Sequence, residues 1–479
     1  MATNSGTMHF VMVPWLAFGH ILPFTELARL IALQGHRVTL LSTPRNTRRL
    51  ISIPPDLECL VRVVDVPLLR IERLPEDAEA TIDLLSDDLR PCLRRAFDAA
   101  FSPKLSEILQ AQEDSSTRPH WVLIDYAAYW APAAAASHGV PCAFVSLFSA
   151  AALCFFGPPA ALMGLGKHAR TKLDDLTSVP NYVPFPTTVA YRGYELRAMF
   201  KPGMIPNESE VSEGHRIAKS IEESQIVGVR SSRAFEPEWL QLVGELYGKP
   251  VVPLGMFPPP PITHATVSGH EVALKWLDTQ APRSVVYVAF GSEVKLASAQ
   301  QQAIALGLEA SGMPFLWAYR APADSDSDTG GGGLPEGFEE RVNGQQGLVC
   351  RGWVPQVRFL AHGSVGGFLT QAGLNSITEG LANGVRLVLL PLLFDQGLNA
   401  RLLVEKKIAV EVARDEEDGS FMAEDVAAAL RRVMVEDEGE EFGAKVQELA
   451  EVIGSDEVND QCVRDFLRCL SDYSRQQQG

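Results

Sequence analysis

Short apolar runs alternate with segments of helical spacing along the first half of the chain. Residues 9–13, 37–42 and 121–125 are apolar runs that predict strands. Between the first two runs, apolar positions over residues 21–33 recur at helical spacing, and an Ala-rich helical segment follows the third run. Strands that alternate with helices across short turns are typical of a parallel sheet with helices on both faces.

The same alternation restarts after a proline-rich segment. Residues 253–270 contain four consecutive prolines and no helical period, which predicts a semi-rigid linker. Apolar runs beyond the linker predict strands at residues 284–290, 315–319, 348–351, 366–370 and 386–390. Helical segments between these runs are predicted at residues 297–311, 356–361, 375–383 and 396–407.

Chain length and this repeated pattern predict the domain organisation. A chain of 479 residues is too long for one ordinary core. We expect an α/β protein of two doubly wound, Rossmann-like domains facing a cleft, which is the default ligand site of such folds. The predicted divisions are an N-terminal domain at residues 1–252, the linker at 253–270, a C-terminal domain at 271–455, and a C-terminal helix at 456–479 that packs back on the first domain.

One long uncharged segment admits a membrane interpretation. Residues 139–166 carry no charge, and a run of that length can span a bilayer. Pro141, Pro158 and Pro159 interrupt it, however, and a spanning helix tolerates such breaks poorly. We therefore expect a buried strand at residues 142–147 that leads into a pocket-lining helix, and no membrane span.

Charge and cysteine content narrow the classes of partner. The chain has 42 Lys and Arg residues against 59 Asp and Glu residues, a formal net charge of −17. Such a field repels nucleic acids and anionic membranes, and a phosphorylated ligand would need a local site of helix ends and amides. Seven cysteines without a CxxC pair favour reduced thiols over a zinc site or a disulfide framework. No secretory signal is visible, so we expect a cytoplasmic protein, with a monomer as the default.

Several familiar catalytic motifs are absent from the sequence. There is no P-loop, no GxGxxG after a strand, no GxSxG and no HExxH, which disfavours phosphoryl transfer, dinucleotide oxidoreductases, hydrolases and zinc proteases. Residues 323–333 contain an Asp-x-Asp pattern that admits a metal interpretation. Metal-binding carboxylates would stand at a strand end, whereas this run is rich in Gly and Ser and favours a solvated loop. We expect no metal and no cofactor.

A histidine and an aspartate stand at the ends of two predicted strands. His20 closes the loop after the first strand, where Gly19 lets the backbone bend, and Asp125 ends the run at 121–125. The carboxyl ends of parallel strands face the same cleft, so the two side chains can meet there. A buried carboxylate on one imidazole nitrogen leaves the other nitrogen to take a proton, which predicts a general base. A structural histidine and a capping aspartate are the competing interpretations.

Candidate nucleotide-binding residues follow the strands of the second half. Trp353 offers an aromatic face for a flat base, and Gln356 offers an amide for hydroxyls. Asn375 and Ser376 open a helix directly after a strand, so their side chains and the free amides predict a neutral anion site that suits a diphosphate. Glu379 lies one turn further along and can accept from ribose hydroxyls.

A carboxylate and an amide follow the next strand. Asp395 and Gln396 stand after the run at 386–390, where they can bind the hydroxyls of a sugar. Each of these features is weak alone, but their order along the chain is specific.

This ordered set resembles the signature box of the plant family 1 UDP-sugar-dependent glycosyltransferases. The residues that carry the resemblance are Trp353-Val354-Pro355-Gln356, His362, Gly366, Phe368, Thr370, Gly373, Asn375, Ser376, Glu379, Gly384, Pro391, Asp395 and Gln396. The similarity covers essentially the whole chain, including the segment 290–293 and His20. It implies the GT-B fold and a metal-free, inverting transfer from a UDP-sugar donor to a small-molecule acceptor.

The resemblance also implies roles for individual residues. His20 would be the general base with Asp125 as its partner, and His362 would be structural. Uracil would stack on Trp353, and ribose would bind Gln356 and Glu379. The phosphates would bind Asn375, Ser376 and Ser292, and the sugar would bind Asp395 and Gln396. The residues implied to bind the UDP-sugar are Gly19, Ser292, Trp353, Val354, Gln356, Gln371, Gly373, Leu374, Asn375, Ser376, Glu379, Asp395 and Gln396.

The box departs from the family pattern at its centre. The usual His-Cys-Gly-Trp-Asn-Ser appears here as Gln-Ala-Gly-Leu-Asn-Ser over residues 371–376. Gln371 can donate a hydrogen bond to a diphosphate but cannot become cationic, and Leu374 lacks an indole N–H for the sugar. Ala372 is a small change in the core. These departures leave open a second function, a UDP-sugar-binding relative with little or no transferase activity.

The N-terminal part carries a narrower resemblance. Residues 14–20 and 42–50 are similar to the plant branch that adds a sugar to the sugar of an existing glycoside, including flavonoid and steviol glycosides. This resemblance implies transfer of a hexose, most simply glucose, to a sugar hydroxyl of a plant glycoside. We expect aromatic residues of the first domain to form an apolar acceptor wall, although each is equally interpretable as core. These residues are Trp15, Phe18, Tyr126, Tyr129, Trp130, Phe148, Phe155 and Phe156.

Overall fold

The computed structural model describes residues 7–110, 118–259, 270–321 and 333–477. Its strands are β1 (His9–Val13), β2 (Arg37–Ser42), β3 (Val61–Asp65), β4 (Trp121–Ile124), β5 (Cys142–Ser146), β6 (Ile226–Val229), β7 (Val251–Pro253), β8 (Val285–Ala289), β9 (Phe315–Tyr319), β10 (Gly347–Arg351), β11 (Val365–Thr370), β12 (Arg386–Leu389) and β13 (Ala409–Glu411). Its α-helices are α1 (Phe18–Leu33), α2 (Pro44–Leu50), α3 (Arg90–Gln110), α4 (Ala131–Ser137), α5 (Ala150–Phe156), α6 (Pro159–Leu162), α7 (Gly193–Met204), α8 (Glu213–Glu223), α9 (Pro237–Tyr247), α10 (Glu271–Asp278), α11 (Ser298–Ser311), α12 (Phe338–Val342), α13 (Gln356–Leu360), α14 (Leu374–Ala382), α15 (Gln396–Glu405), α16 (Ala423–Met434), α17 (Asp437–Ile453) and α18 (Asp456–Gln476).

The strands form two parallel sheets, one in each half of the chain. The first has the order β3-β2-β1-β4-β5-β6-β7, and the second has the order β10-β9-β8-β11-β12-β13. In each sheet the chain reverses direction of winding beside its first strand, where β1 pairs with β4 and β8 pairs with β11. Such a reversal leaves a crevice at the carboxyl ends of the strands, which is where ligands bind in doubly wound folds. The predicted fold class is confirmed.

The first helix begins earlier than its apolar spacing predicts. Ala17 is extended and precedes the first helical residue, Phe18, whereas the prediction began at residue 21. Gly19 and His20 are not part of the apolar pattern, so a prediction from apolar spacing places the start of the helix too late. The earlier start places both residues in the first turn of α1, at the carboxyl edge of the first sheet.

The uncharged segment folds as a buried strand and short helices. It contains β5, which ends at Ser146, one residue before its predicted end, followed by α5 and α6. Within the described ranges, no helix combines the length and the apolar character that crossing a membrane requires.

Two predicted segments fall mostly outside the described residues. They are the linker, of which 260–269 is outside, and the Asp-x-Asp loop, of which 323–332 is outside. The strand β7 ends at Pro253, where the predicted linker begins.

The last helix returns to the first sheet after the second sheet is complete. On α18, Phe466 and Leu470 are fully buried in a cluster that includes Phe10 of β1 and Trp121 of β4. The indole N–H of Trp121 also donates to Ser474 Oγ at 3.1 Å.

Buried polar contacts join the two halves of the molecule across the cleft. Arg401 of α15 pairs with Glu195 of α7 at 2.8 Å, and both side chains are 7% exposed. Ser149, which caps α5, donates to Asn399 Oδ1 at 2.9 Å. Because removing one partner of a buried ion pair leaves an uncompensated charge, typically at a cost of about 3–5 kcal/mol, such contacts fix how the two halves pack.

Candidate active site

A cavity of about 1860 Å³ lies between the carboxyl ends of the two sheets. Its walls include the start of α1 from the first sheet and the start of α14 from the second sheet. His20 and all thirteen residues predicted to bind the UDP-sugar line this one cavity, so sequence segments more than 300 residues apart meet at it.

His20 and Asp125 are in direct contact at the edge of the first sheet. His20 Nδ1 lies 2.6 Å from Asp125 Oδ2, and the carboxylate is almost completely buried while the imidazole is 21% exposed. The backbone N–H of Trp15 also donates to Asp125 Oδ2 at 3.2 Å, and that of Tyr126 donates to Oδ1 at 2.6 Å. These donors fix the carboxylate, which in turn orients the ring so that Nε2 is the nitrogen left for a substrate.

The turn between β11 and α14 presents backbone amides to the cavity. Gly373 precedes the helix, and no side chain caps its first turn. Ala372, just before it, has φ +66°, a left-handed conformation that non-glycine residues seldom adopt and that the surrounding structure must enforce. Uncapped amides and the helix dipole attract an anion at this end of a helix. Asn375 and Ser376 flank these amides and line the cavity.

Gln371 is held beside a glycine of the neighbouring strand end. Its Oε1 accepts from Thr370 Oγ1 at 2.8 Å, and the side chain is 7% exposed. Gly291, after β8, has φ +66°, and a Cβ there would lie 2.3 Å from Gln371 Nε2. The left-handed backbone at position 291 favours glycine, and any larger side chain there would displace the amide of Gln371. Ser292 follows and lines the cavity near this amide, while its carbonyl accepts from Arg320 at 2.9 Å.

The predicted nucleoside residues form one connected group. The side chain of Gln356 donates to Glu379 Oε2 at 2.6 Å and accepts from Tyr287 Oη at 3.3 Å. Burial raises the pKa of Glu379, and the hydrogen bond from Gln356 and the charge of Arg230 partly oppose this shift. Trp353, by contrast, is 66% exposed, which leaves an aromatic face open to a base.

Asp395 and Gln396 begin α15 with part of each side chain already bound. Gln396 Oε1 accepts from the backbone N–H groups of Leu392 and Leu393 at 2.9 and 2.8 Å, so its amino group is the part directed to a ligand. Asn399 donates to Asp395 Oδ2 at 2.8 Å. Burial raises the pKa of Asp395, against the effect of this hydrogen bond and of His20.

Six of the eight predicted acceptor-wall aromatics line the cavity. They are Trp15, Phe18, Tyr126, Phe148, Phe155 and Phe156.

Tyr129 and Trp130 do not belong to the cavity lining, so the prediction is wrong for them. The indole of Trp130 donates to Asp98 Oδ1 at 2.8 Å, and the ring of Tyr129 packs edge-on to His215 at 5.8 Å. Both residues lie one turn beyond Tyr126 and face α3 and α8 instead of the cleft.

Two arginines of the cavity wall were not among the residues predicted from the sequence. Arg94 of α3 is buried, pairs with Glu213 at 2.6 Å, and lies 3.6 Å from the ring centre of Trp15. Arg230 follows β6 and donates through Nε to the carbonyl of Met256 at 2.7 Å. The apolar run at residues 226–229 predicts a strand, so the sequence places Arg230 at a strand end. No neighbouring motif indicates that Arg230 is a functional residue.

His362 lies away from the cavity. Its Nδ1 contacts Ser364 Oγ at 2.8 Å, and its Nε2 lies 3.2 Å from Asp278 at the surface. Among the residues that the structure describes, no three His, Cys, Asp or Glu side chains are grouped closely enough to hold a metal ion.

Comparison with known proteins gives a consistent set of matches. Residues 268–449 match the family model described as UDP-glucoronosyl and UDP-glucosyl transferase. UDP-glycosyltransferase 91D2 of Stevia rebaudiana is 42% identical over 477 residues, which is 98% of this chain and 96% of that protein. Anthocyanidin-3-O-glucoside rhamnosyltransferase of Petunia hybrida is 32% identical over 441 residues, covering 91% of this chain and 89% of that protein.

A solved structure matches over nearly the whole fold. The crystal structure of Glycyrrhiza uralensis UGT73P12, complexed with glycyrrhetinic acid 3-O-monoglucuronide, superposes with a TM-score of 0.79. The match covers 98% of this chain and 97% of that chain at 22% sequence identity. At this identity the match supports the two-domain GT-B architecture.

Proposed function

Since the chain belongs to the plant UDP-glycosyltransferase family and is a transferase of plant metabolites, we propose that it moves glucose from UDP-glucose to a sugar hydroxyl of a small glycoside. The observation that carries this proposal is the position of His20. Its carboxylate-bound imidazole lines the same cavity as the anion site at α14, and the adjacent residue Gly19 contacts Asn375 of that site.

His20 is proposed to be the general base. Asp125 accepts a hydrogen bond from Nδ1–H, which keeps the proton on Nδ1 and leaves Nε2 free to take the proton of the acceptor hydroxyl. The acceptor oxygen then attacks the anomeric carbon from the face opposite the diphosphate. The bond from this carbon to the diphosphate oxygen breaks, UDP leaves with the electron pair, and the anomeric configuration inverts.

The departing diphosphate is proposed to lie at the start of α14. The uncapped amides and the helix dipole stabilise negative charge there, and the hydroxyls of Ser292 and Ser376 add donors. Stabilisation of charge that grows in the transition state accelerates transfer. We propose that these groups supply the positive potential without a metal, so a chelator is expected to leave the rate unchanged.

The remaining donor-site residues are proposed to position the nucleoside and the sugar. Uracil stacks on the exposed face of Trp353, and the ribose hydroxyls donate to Glu379, which Gln356 already orients. The sugar hydroxyls bind Asp395 and the free amino group of Gln396.

Two observations support a glycoside as the acceptor. The cavity volume of about 1860 Å³ exceeds the range of about 300–1,000 Å³ that is typical of small-molecule sites, so it has room for a donor and a large acceptor together. The Petunia hybrida relative is named for an anthocyanidin 3-O-glucoside. Because that relative is named a rhamnosyltransferase, UDP-rhamnose is the donor against which UDP-glucose must be compared.

A competition experiment tests the acceptor and the donor together. The purified protein is given equal amounts of a flavonoid aglycone and its monoglucoside, with UDP-glucose or UDP-rhamnose, and products are separated by mass. The proposal predicts a diglycoside from UDP-glucose as the main product. Glycosylation of the aglycone alone would contradict the acceptor, and a product formed only from UDP-rhamnose would contradict the donor.

The protein is proposed to act as a monomer. Both walls of the cavity come from one chain, so the site is complete without a second copy. Sedimentation during turnover is expected to show a single species of monomer mass, and a larger active species would contradict this.

A further inference from the structure

Arg230 lies at the carboxyl end of β6 and reaches across the cleft to the second domain. Its side chain lines the cavity but is only 2% exposed. Nε donates to the carbonyl of Met256 at 2.7 Å, and Nη1 donates to Asn375 Oδ1 at the start of α14. A cation of the first domain is thereby fixed beside the proposed diphosphate site of the second domain.

The charge of Arg230 has no carboxylate in contact with it. Other buried arginines of this protein have one: Arg216 pairs with Asp98, and Arg401 pairs with Glu195, each at 2.8 Å. Among the described residues, Arg230 forms no ion pair.

Burial without a paired anion is unfavourable for a guanidinium. Burial lowers the pKa of Arg230 to about 10, and Glu379 and Glu26 oppose this only from a distance. Buried charges in proteins are normally paired, so an unpaired one that lines a cavity indicates that its anion arrives with a ligand. The group still carries its charge at neutral pH.

We propose that Arg230 binds the diphosphate of the UDP-sugar and supplies the positive charge that the neutral Gln371 cannot. This inference rests on the proposed function and adds to it a donor-binding residue from the first domain. Asn375 is the link, because its Oδ1 accepts from Arg230 while its Nδ2 lies 3.4 Å from the carbonyl of Gly19. The diphosphate would then bind between the start of α14 and this guanidinium.

A charge-assisted contact of this kind has a measurable signature. Hydrogen bonds between ionised partners are among the stronger ones in proteins, and loss of one reduces affinity by roughly 10- to 100-fold. The loss is confined to ligands that carry phosphates. Uridine contains the base and the ribose but no diphosphate, so it reports on the rest of the site.

The test is the ratio of UDP affinity to uridine affinity, measured by calorimetry. Arg230→Gln removes the charge but retains an amide that can donate a hydrogen bond, and Arg230→Lys restores a charge. Arg29→Gln is the matched control, because Arg29 lines the same cavity but pairs with Glu26 at 2.7 Å.

We expect Arg230→Gln to weaken UDP binding by about 10- to 100-fold while uridine binding is unchanged. Arg230→Lys should recover part of this loss, and Arg29→Gln should keep the wild-type ratio of UDP to uridine affinity. An unchanged ratio in Arg230→Gln would overturn the inference, as would an equal loss of uridine binding, which indicates a structural role. Should Arg230→Gln not fold, Arg230→Met replaces it as a second neutral side chain of similar length, and an unchanged ratio of UDP to uridine affinity in that variant overturns the inference. Failure of the wild-type protein to bind UDP would instead refute the proposed function.

Discussion

Asn375 Nδ2 lies 3.4 Å from the backbone oxygen of Gly19, and this contact joins the first turns of two helices from different domains. Gly19 precedes the proposed base, His20, and Asn375 flanks the amides proposed to receive the diphosphate. The groups proposed to activate the acceptor and to stabilise the leaving group therefore lie on two helix starts that are in contact. Correct relative placement of reacting groups is itself a large part of catalysis.

Asp125→Asn is expected to lower kcat by roughly 10²–10⁴-fold, because Asp125 sets the tautomer of His20 that leaves Nε2 free as a base. The donor site does not contact Asp125, so KM for the UDP-sugar is expected to remain near its wild-type value. Steady-state kinetics separate the two effects. A variant with near-normal kcat would show that the contact with Asp125 serves only the structure.

The raised pKa of Glu379 should make nucleoside binding depend on pH. Only the ionised carboxylate accepts freely from ribose hydroxyls, and burial raises its pKa. Affinity for uridine should therefore be full above this raised pKa and should fall as the pH drops through it. The fall should occur at a higher pH than for an ordinary glutamate, whose pKa is about 4.3.

Uridine carries no phosphate, so its own ionisation does not interfere in this range. The control is Glu379→Gln, which should bind uridine more weakly at neutral pH and show no such acid transition. An acid transition of the same midpoint in Glu379→Gln would assign the dependence to another group.

Much of the fold and part of the site follow from the sequence for identifiable reasons. Buried parallel strands are apolar throughout, so β1, β2 and β9 have their predicted bounds. His20 and Asp125 each stand at a strand end, and the topology of a parallel sheet is sufficient to bring such positions together.

Other features depend on packing that the sequence pattern does not contain. Tyr129 and Trp130 are as aromatic as Tyr126, and only the direction of the turn after Asp125 decides which of them faces the cleft. Arg230 acquires its position from the packing of the two domains, since its partner Asn375 lies 145 residues further along the chain.

Trp353→Ala is expected to raise KM for the UDP-sugar by up to about tenfold, since aromatic stacking contributes roughly 0.5–1.5 kcal/mol beyond burial. Base stacking is equal in the ground state and the transition state, so kcat should change little. Trp353→Phe retains an aromatic face, so its KM for the UDP-sugar should lie between those of wild type and Trp353→Ala. An equal fall of kcat in Trp353→Ala would indicate that this residue acts on the reacting centre.

The double substitution Gln371→His with Leu374→Trp restores the family residues at the centre of the box. An imidazole at 371, which can become cationic beside a diphosphate, and an indole N–H at 374 should each strengthen contacts to the donor, and we expect roughly tenfold faster transfer from UDP-glucose. The single variants Gln371→His and Leu374→Trp show how much of the faster transfer each substitution provides. Slower transfer in the double variant would mean that Gln371 and Leu374 suit a different donor sugar.

A mass-spectrometric product assay of the wild-type protein beside His20→Ala tests the proposed transfer and the proposed base together. Each protein is incubated with UDP-glucose, UDP-galactose or UDP-rhamnose and a panel of glycosides, and UDP binding is measured in parallel. His362→Ala is the matched control, because His362 also contacts an aspartate but lies outside the cavity.

We expect a sugar-sized mass gain with wild type and with His362→Ala. We expect a rate lower by roughly 10²–10⁴-fold in His20→Ala, with UDP binding retained. Near-normal product formation by His20→Ala would contradict the assignment of the base. UDP binding without product from any donor in the wild-type protein would contradict the proposed transfer.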